Sequence, residues 1–144
     1  MLIGVSPVIS PELLDALFRM GHGDELVLAD AFFPGDTCNS RVIRADGIRI
    51  PALLEGILKL INLDYAVAHP VIMMGAYGSD TLDPEVGKSY RAVIEKIWPG
   101  TPETELIDRF AFYERTKKAF AVVMTGETVK YGNIILKKGV IPVP

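Results

Sequence analysis

A histidine and a carboxylate bracket one apolar run near the start of this chain. Gly21-His22-Gly23-Asp24-Glu25 leads into Leu26-Val27-Leu28-Ala29, and the run closes on Asp30. An imidazole between two glycines has no bulky neighbour to bury it, and histidine is the side chain whose proton exchange sits nearest neutral pH. Asp30 falls where a strand gives way to a loop, and α/β sheets bind ligands just beyond the carboxyl ends of their strands. The pair therefore fits proton transfer on a small ligand gripped by a carboxylate. Plainer readings stand beside this one. His22 also suits an ordinary turn, Asp24 and Glu25 can solvate the strand entrance, and Asp30 can cap the turn Phe32-Phe33-Pro34-Gly35.

Other candidates sort quickly. His22, Asp24, Asp30, Cys38 and His69 lack the short regular spacing of zinc motifs, so no metal is expected. Gly75-Ala76-Tyr77-Gly78 follows an apolar run but has neither the third glycine of a dinucleotide loop nor the lysine of a phosphate loop, and no cofactor is expected. His69, before Pro70, reads as structural. Arg109 opens Phe110-Ala111-Phe112-Tyr113-Glu114-Arg115, where Phe110 and Tyr113 have helical spacing and read as core rather than as a ligand platform. Tyr131-Gly132-Asn133 breaks a polar stretch before the last apolar run. Gly-Asn there predicts a turn with positive φ, which is compatible with a ligand loop.

The elements that must position these groups follow from periodicity. Ser10-Pro11-Glu12 starts a helix carrying Leu13, Leu14, Leu17 and Phe18 on one face, ended by Gly21. A second helix is predicted from Pro51 to Asn62, and a third from Asp83-Pro84-Glu85 to Pro99-Gly100. Strand-like runs lie at Leu26 to Ala29, Val42-Ile43, Val71 to Met74, Leu106-Ile107, Phe120 to Met124 and Asn133 to Leu136. Asp46-Gly47 reads as a tight turn joining Val42-Ile43 to Ile48-Ile50. Several runs are apolar at consecutive positions, as in strands covered on both faces. Their alternation with helices predicts a three-layer α/β/α fold with a mostly parallel or mixed central sheet, as a single domain over residues 1–144.

Composition bounds the partners. The chain has 144 residues, 49% of them hydrophobic, and a formal charge of −3. Its basic residues are scattered rather than gathered into the positive face that phosphate backbones require, which argues against nucleic acid. Cys38 is the only cysteine, so no internal disulfide or four-thiolate centre can form, and a reducing cytoplasm is the expected setting. No apolar run approaches the roughly 20 residues that cross a bilayer, and Met1-Leu2-Ile3-Gly4-Val5 lacks the basic start of a secretory signal. The apolar tail Gly139-Val140-Ile141-Pro142-Val143-Pro144 points to burial against the same subunit or a neighbour, hence to an oligomer.

Taken together, Gly21 through Asp30, Arg44-Ala45-Asp46-Gly47, Asp80-Thr81-Leu82-Asp83-Pro84-Glu85-Val86, Arg109 through Arg115 and Tyr131-Gly132-Asn133 resemble the L-fucose mutarotase and D-ribose pyranase family. The resemblance covers nearly the whole chain, and the last two blocks lie closer to the fucose branch. It implies a ring-shaped homo-oligomer, pentamer or decamer, with a monosaccharide site near subunit contacts. By position, the family's acid–base histidine falls on His22, and its sugar-binding groups on Asp30, Arg109, Tyr131, Gly132 and Asn133. Phe32 departs from the polar residue of relatives, and an apolar ring there favours a deoxy or otherwise less polar face of the sugar.

Mutarotation suits such sparse equipment, because only protons move and the reaction already runs unaided in water. A positioned acid–base group worth on the order of 10²- to 10⁴-fold is enough. One geometric difficulty is visible in the sequence: eight steps of extended chain can separate His22 from Asp30 by about 26 to 29 Å. Either the turn folds His22 back over the strand, or each sugar takes its histidine and its aspartate from different chains. A non-catalytic sugar-binding ring is the competing function, and it would not require His22.

Overall fold

The computed structural model describes residues 1–144. Helix α1 (Pro11–Arg19) begins as expected, with the Ser10 hydroxyl accepting from the Leu13 N–H at 3.1 Å and proline in the first turn. It buries Leu13, Ala16 and Leu17. Helix α4 (Pro84–Ile97) is capped by Asp83, whose carboxylate accepts from the Glu85 N–H at 2.9 Å. Between them come β1 (Glu25–Ala29), the short α2 (Gly35–Cys38), β2 (Val42–Ala45), α3 (Ile50–Leu58) and β3 (Val71–Met74). After α4 follow β4 (Glu105–Ile107), α5 (Arg109–Lys118), β5 (Ala121–Thr125) and β6 (Ile134–Lys137).

These strands form one six-stranded sheet in the order β2-β5-β1-β6-β3-β4. β1, β2 and β5 run parallel, as do β3 and β4, while β6 enters antiparallel between β1 and β3. Alternation along each strand divides the core. Leu26 and Leu28 of β1 face the layer of α1, α3 and α4, with Ile43, Val123 and Leu136 beside them. Val27 and Ala29 face α2 and α5, packed with Phe33, Val122, Ile135 and Phe112. The result is the three-layer α/β/α sandwich with a mixed sheet that the consecutive apolar runs imply.

Two local expectations give way. Asp46-Gly47 does turn, with Gly47 at φ +81°, but it leads into α3 rather than closing a hairpin, because Val42 to Ala45 pair in parallel with β5 and Ile50 is buried as the first residue of α3. Helix α3 itself starts at Ile50 rather than Pro51 and stops at Leu58, short of Asn62. Of the two coverings expected for the tail, its own subunit does not supply one: Val140, Ile141 and Val143 stay exposed, along with Met1, Ile3 and Phe18, which leaves a neighbouring subunit. No helix is long and apolar enough to cross a membrane.

Candidate active site

Asp30 stands at the carboxyl end of β1, immediately after Ala29, and the residue as a whole is buried. Its Oδ1 accepts from the Phe32 N–H at 2.9 Å, and its own N–H donates to Asn133 Oδ1 at 2.7 Å. Burial pushes the carboxyl above its ordinary range; the N–H of Phe32, the Asn133 side chain and the N–H of Phe33 oppose the rise, while the charge of Glu127 adds to it. The chain therefore holds at this strand end a carboxylate it would rather neutralise, which is common where a polar ligand is to be bound.

The loop from Glu127 to Asn133 forms the adjoining wall. Expectation placed a positive φ on Gly-Asn; the structure puts it on Tyr131, at φ 58°, a left-handed conformation that a bulky residue adopts only under constraint. The constraint is visible. Tyr131 Oη donates to Asp80 at 2.8 Å and accepts from the Tyr77 N–H at 3.2 Å, and Lys130 Nζ reaches the same Asp80 carboxylate at 2.5 Å. Lys130 and Tyr131 together bring Asp80 down to about 2. Gly132 is a glycine for lack of space: a Cβ would lie 3.0 Å from both Tyr90 Oη and the Val129 carbonyl. Tyr90, buried on α4, donates to the Gly132 carbonyl at 2.9 Å. Glu127, also buried, pairs with Arg49 at 3.0 Å and takes the N–H groups of Thr128 and Val129.

Arg109 is the first residue of α5, whose N-cap Asp108 accepts from the N–H groups of Phe110 and Ala111. Its Nε donates to Tyr113 Oη at 2.9 Å, which raises the guanidinium above its ordinary value. The rings of Tyr77, Phe110 and Tyr113 lie 5.2, 5.9 and 5.5 Å from its Cζ, within cation–π range. Here the sequence reading is corrected. Phe110 is 58% exposed and collars Arg109 rather than filling the core, while Tyr113, partly buried, both meets Arg109 and packs against Phe33 at the edge of the core. The core ring of this helix is Phe112, at 0% exposure.

These groups enclose a cavity of about 250 Å³. Asp30, Arg109, Tyr131 and Asn133 supply its polar lining, with Lys130 at the margin; Phe32, Phe33, Met74 and Tyr113 supply the apolar part. A larger hollow of about 700 Å³ lies open between α1 and the β2 edge, but its charges do not converge: Arg19 is paired with Asp15, and Arg41 stacks on Phe120. Three or more His, Cys, Asp or Glu side chains nowhere gather as metal ligands would. His69 fits its structural reading, with Nδ1 2.7 Å from the Glu103 carbonyl.

His22 is not at this cavity. It precedes β1, whose length between Glu25 and Ala29 is about 13 Å at the usual rise per residue, so it belongs to the opposite end of the sheet. Its Nε2 lies 3.3 Å from Oδ1 of Asp64. Asp64 belongs to that same end, since its N–H donates to the carbonyl of Lys137, the partner of Glu25 across β6. The turn thus does not fold the histidine back over the strand. Asp64, Asp80, Glu127, Tyr77 and Lys130 all escaped the sequence reading. Only Asp80, in a block of the resemblance, and Tyr77, in the loop Gly75-Ala76-Tyr77-Gly78, gave any signal; the others reach their places through contacts across more than thirty residues of chain.

The chain is similar throughout its length to proteins of known kind. It is 58% identical over 143 residues to the L-fucose mutarotase of Actinobacillus pleuropneumoniae serotype 5b (strain L20), covering 99% of each chain. To the L-fucose mutarotase of Histophilus somni (strain 2336) it is 55% identical, again covering 99% of each. The crystal structure of the fucose mutarotase from Streptococcus pneumoniae in complex with L-fucose superposes with a TM-score of 0.92 at 45% identity, over 98% of this chain and 100% of that one. With residues 3–141 matching the family model, this chain belongs to the RbsD / FucU transport protein family.

Proposed function

We propose that this protein is a monosaccharide mutarotase, an isomerase that interconverts the α and β anomers of L-fucose or a closely related free sugar. The observation that carries the reading is the cavity of about 250 Å³ at the end of β1, in which a buried carboxylate, a guanidinium and an amide face an apolar wall. That volume lies below the range for drug-sized ligands and suits one sugar ring. Asp30 can accept from two neighbouring hydroxyls, Arg109 has two Nη groups without partners in the chain, and Asn133 can donate or accept. Full-length likeness to L-fucose mutarotases supports the same sugar class.

In the reaction the anomeric hydroxyl gives up its proton, the ring oxygen gains one, and the bond between the anomeric carbon and the ring oxygen breaks to leave the open-chain aldehyde. Rotation about the bond from the carbonyl carbon to its neighbour exposes the other face, and reclosure reverses the proton movements. His22 carries the proton. Because it lies at the far end of the sheet from Asp30, it serves the cavity of an adjacent subunit in a homo-oligomeric ring, pentamer or decamer. The exposed apolar residues at both termini and Phe18 support such assembly. The single free thiol, Cys38, is buried and agrees with a cytoplasmic setting.

Saturation-transfer NMR on free sugars including L-fucose and D-ribose tests this directly, because it reads anomer exchange at equilibrium. Acceleration for L-fucose is expected. Binding without acceleration would instead establish a sugar-binding ring, and His22→Ala separates the two: in an enzyme it removes the acceleration of exchange and leaves binding alone.

A further inference from the structure

Resting on the reading of the cavity at the end of β1 as a sugar site, we infer that Asp80, which does not line that cavity, is a positioning residue: its carboxylate holds the Tyr131 hydroxyl and so keeps the Tyr131 ring standing as the wall that ends the cavity. A second hollow of about 260 Å³ lies behind this wall, lined by Leu82, Pro84 and Val86 around the start of α4 and by Leu106. Met74, Lys130 and Tyr131 border both spaces. A ring between two hollows is less closely packed than one in the core, so its polar contacts decide where it stands. The backbone of Tyr131, at φ 58°, adds a cost that those contacts must offset.

Asp80 is built to supply them. One of its oxygens, Oδ2, accepts from Tyr131 Oη at 2.8 Å and from Lys130 Nζ, while Oδ1 accepts from the Thr81 N–H at 2.9 Å. Its own N–H donates to the Tyr77 carbonyl at 3.1 Å, closing a turn in which Gly78 has φ +60°. From the same turn the Tyr77 N–H donates to Tyr131 Oη at 3.2 Å. The hydroxyl of Tyr131 thus has its hydrogen and a lone pair committed within the chain, and what it presents to the cavity is chiefly its ring. The turn also reaches the facing wall, since the Tyr77 ring meets Phe110 edge to face and lies near the Arg109 guanidinium. A second tether runs from α4, where Tyr90 donates to the Gly132 carbonyl. The pair with Lys130, a side chain 74% exposed, adds little stability, so ion pairing alone does not account for a carboxylate at this spot.

The test reads KM and kcat for L-fucose from saturation-transfer rates over a range of sugar concentrations, on the native assembly, with melting temperature measured beside them. Asp80→Ala is expected to raise KM by about 3- to 10-fold, the worth of one hydrogen bond, and to leave kcat within about twofold, because the ring holds ground state and transition state alike. Melting temperature should move little, since Asp80 lies at the surface. A merely structural contact would do the reverse, lowering the melting temperature and leaving KM where it was. Tyr131→Phe removes the held hydroxyl and should raise KM at least as far. Because Asp80 acts through that hydroxyl, the double variant Asp80→Ala/Tyr131→Phe should match Tyr131→Phe alone. An unaltered KM in Asp80→Ala, or effects on KM that multiply in the double variant, overturns the inference. Should Asp80→Ala fail to fold, Asp80→Asn, which keeps an oxygen for the Thr81 N–H, takes its place in the same cycle. If the wild type accelerates exchange and Asp80→Ala has the same KM, the inference alone fails; if the wild type neither binds L-fucose nor accelerates its exchange, the reading of the cavity falls and takes this with it.

Discussion

Mixing two crippled variants should restore activity that neither has. His22→Ala removes the proton carrier and forfeits on the order of 10²- to 10⁴-fold. Asp30→Asn leaves the fold's hydrogen bond to Phe32 N–H possible but removes a charge-assisted grip on the sugar worth about 1.5 to 3 kcal/mol, or roughly 10- to 100-fold. β1 alone sets its two ends about 13 Å apart, with His22 beyond one and Asp30 beyond the other, so under the roles proposed for them one sugar takes the two groups from different chains. In rings assembled at random from equal amounts of both variants, about one half of one half, a quarter of the sites, receive an intact histidine and an intact aspartate. Co-expression with two affinity tags and tandem purification isolates the mixed rings, and anomer exchange measured by saturation transfer gives activity per site. Recovery to about a quarter of wild type is expected. Verified mixed rings no more active than the better parent would refute the shared site.

Three further outcomes follow from named contacts. Gly139→Ala should lower stability by at least 1 to 3 kcal/mol, roughly 2 to 10 °C in melting temperature, because the clash is with Leu63 backbone rather than a side chain that can swing away. Phe32→Asn should leave the melting temperature nearly unchanged, since the ring is 78% exposed, while the preference for L-fucose over its 6-hydroxylated counterpart L-galactose falls several-fold in competition assays. Burial raises Asp30, so the folded state binds the proton more tightly than the unfolded state, and stability declines as pH climbs from 3.8 through the raised value. Asp30→Asn should therefore melt higher than wild type at pH 7, with the difference vanishing below pH 3.8; equal melting at both would contradict the sign.

Much of this architecture was legible because it depends on local order. Ser10-Pro11 and Asp83-Pro84 mark helix starts by satisfying free amides, and Leu26 to Ala29 announces a strand covered on both faces. Where long-range contacts decide, the sequence misleads. Phe110 obeys helical spacing but lies on the face that collars Arg109, Tyr113 is shared between that collar and the core's edge, and Phe112 is the ring that is fully buried. Tyr131 takes a left-handed backbone beside a glycine that could have taken it at lower cost, because Asp80 and Tyr77 hold its hydroxyl and Gly132 has no room for a side chain. Of the site, Asp30, Arg109 and Asn133 followed from position and resemblance. The buried carboxylates Asp64 and Glu127 did not, since nothing in their neighbours along the chain distinguishes them from surface acids.

The antiparallel course of β6 has a bearing on how the chain comes together. β1 touches β6 across more than a hundred residues, and β3 touches it from the other side, so neither half of the sheet has an inner neighbour until the final strand arrives. Pairings that distant are slow to find. The apolar flanks of β1 and β3 wait uncovered while everything between them is being made, and folding closes only when the last segment slots into the gap. Any loss of β6 pairing would likewise uncover two sticky half-sheets at once.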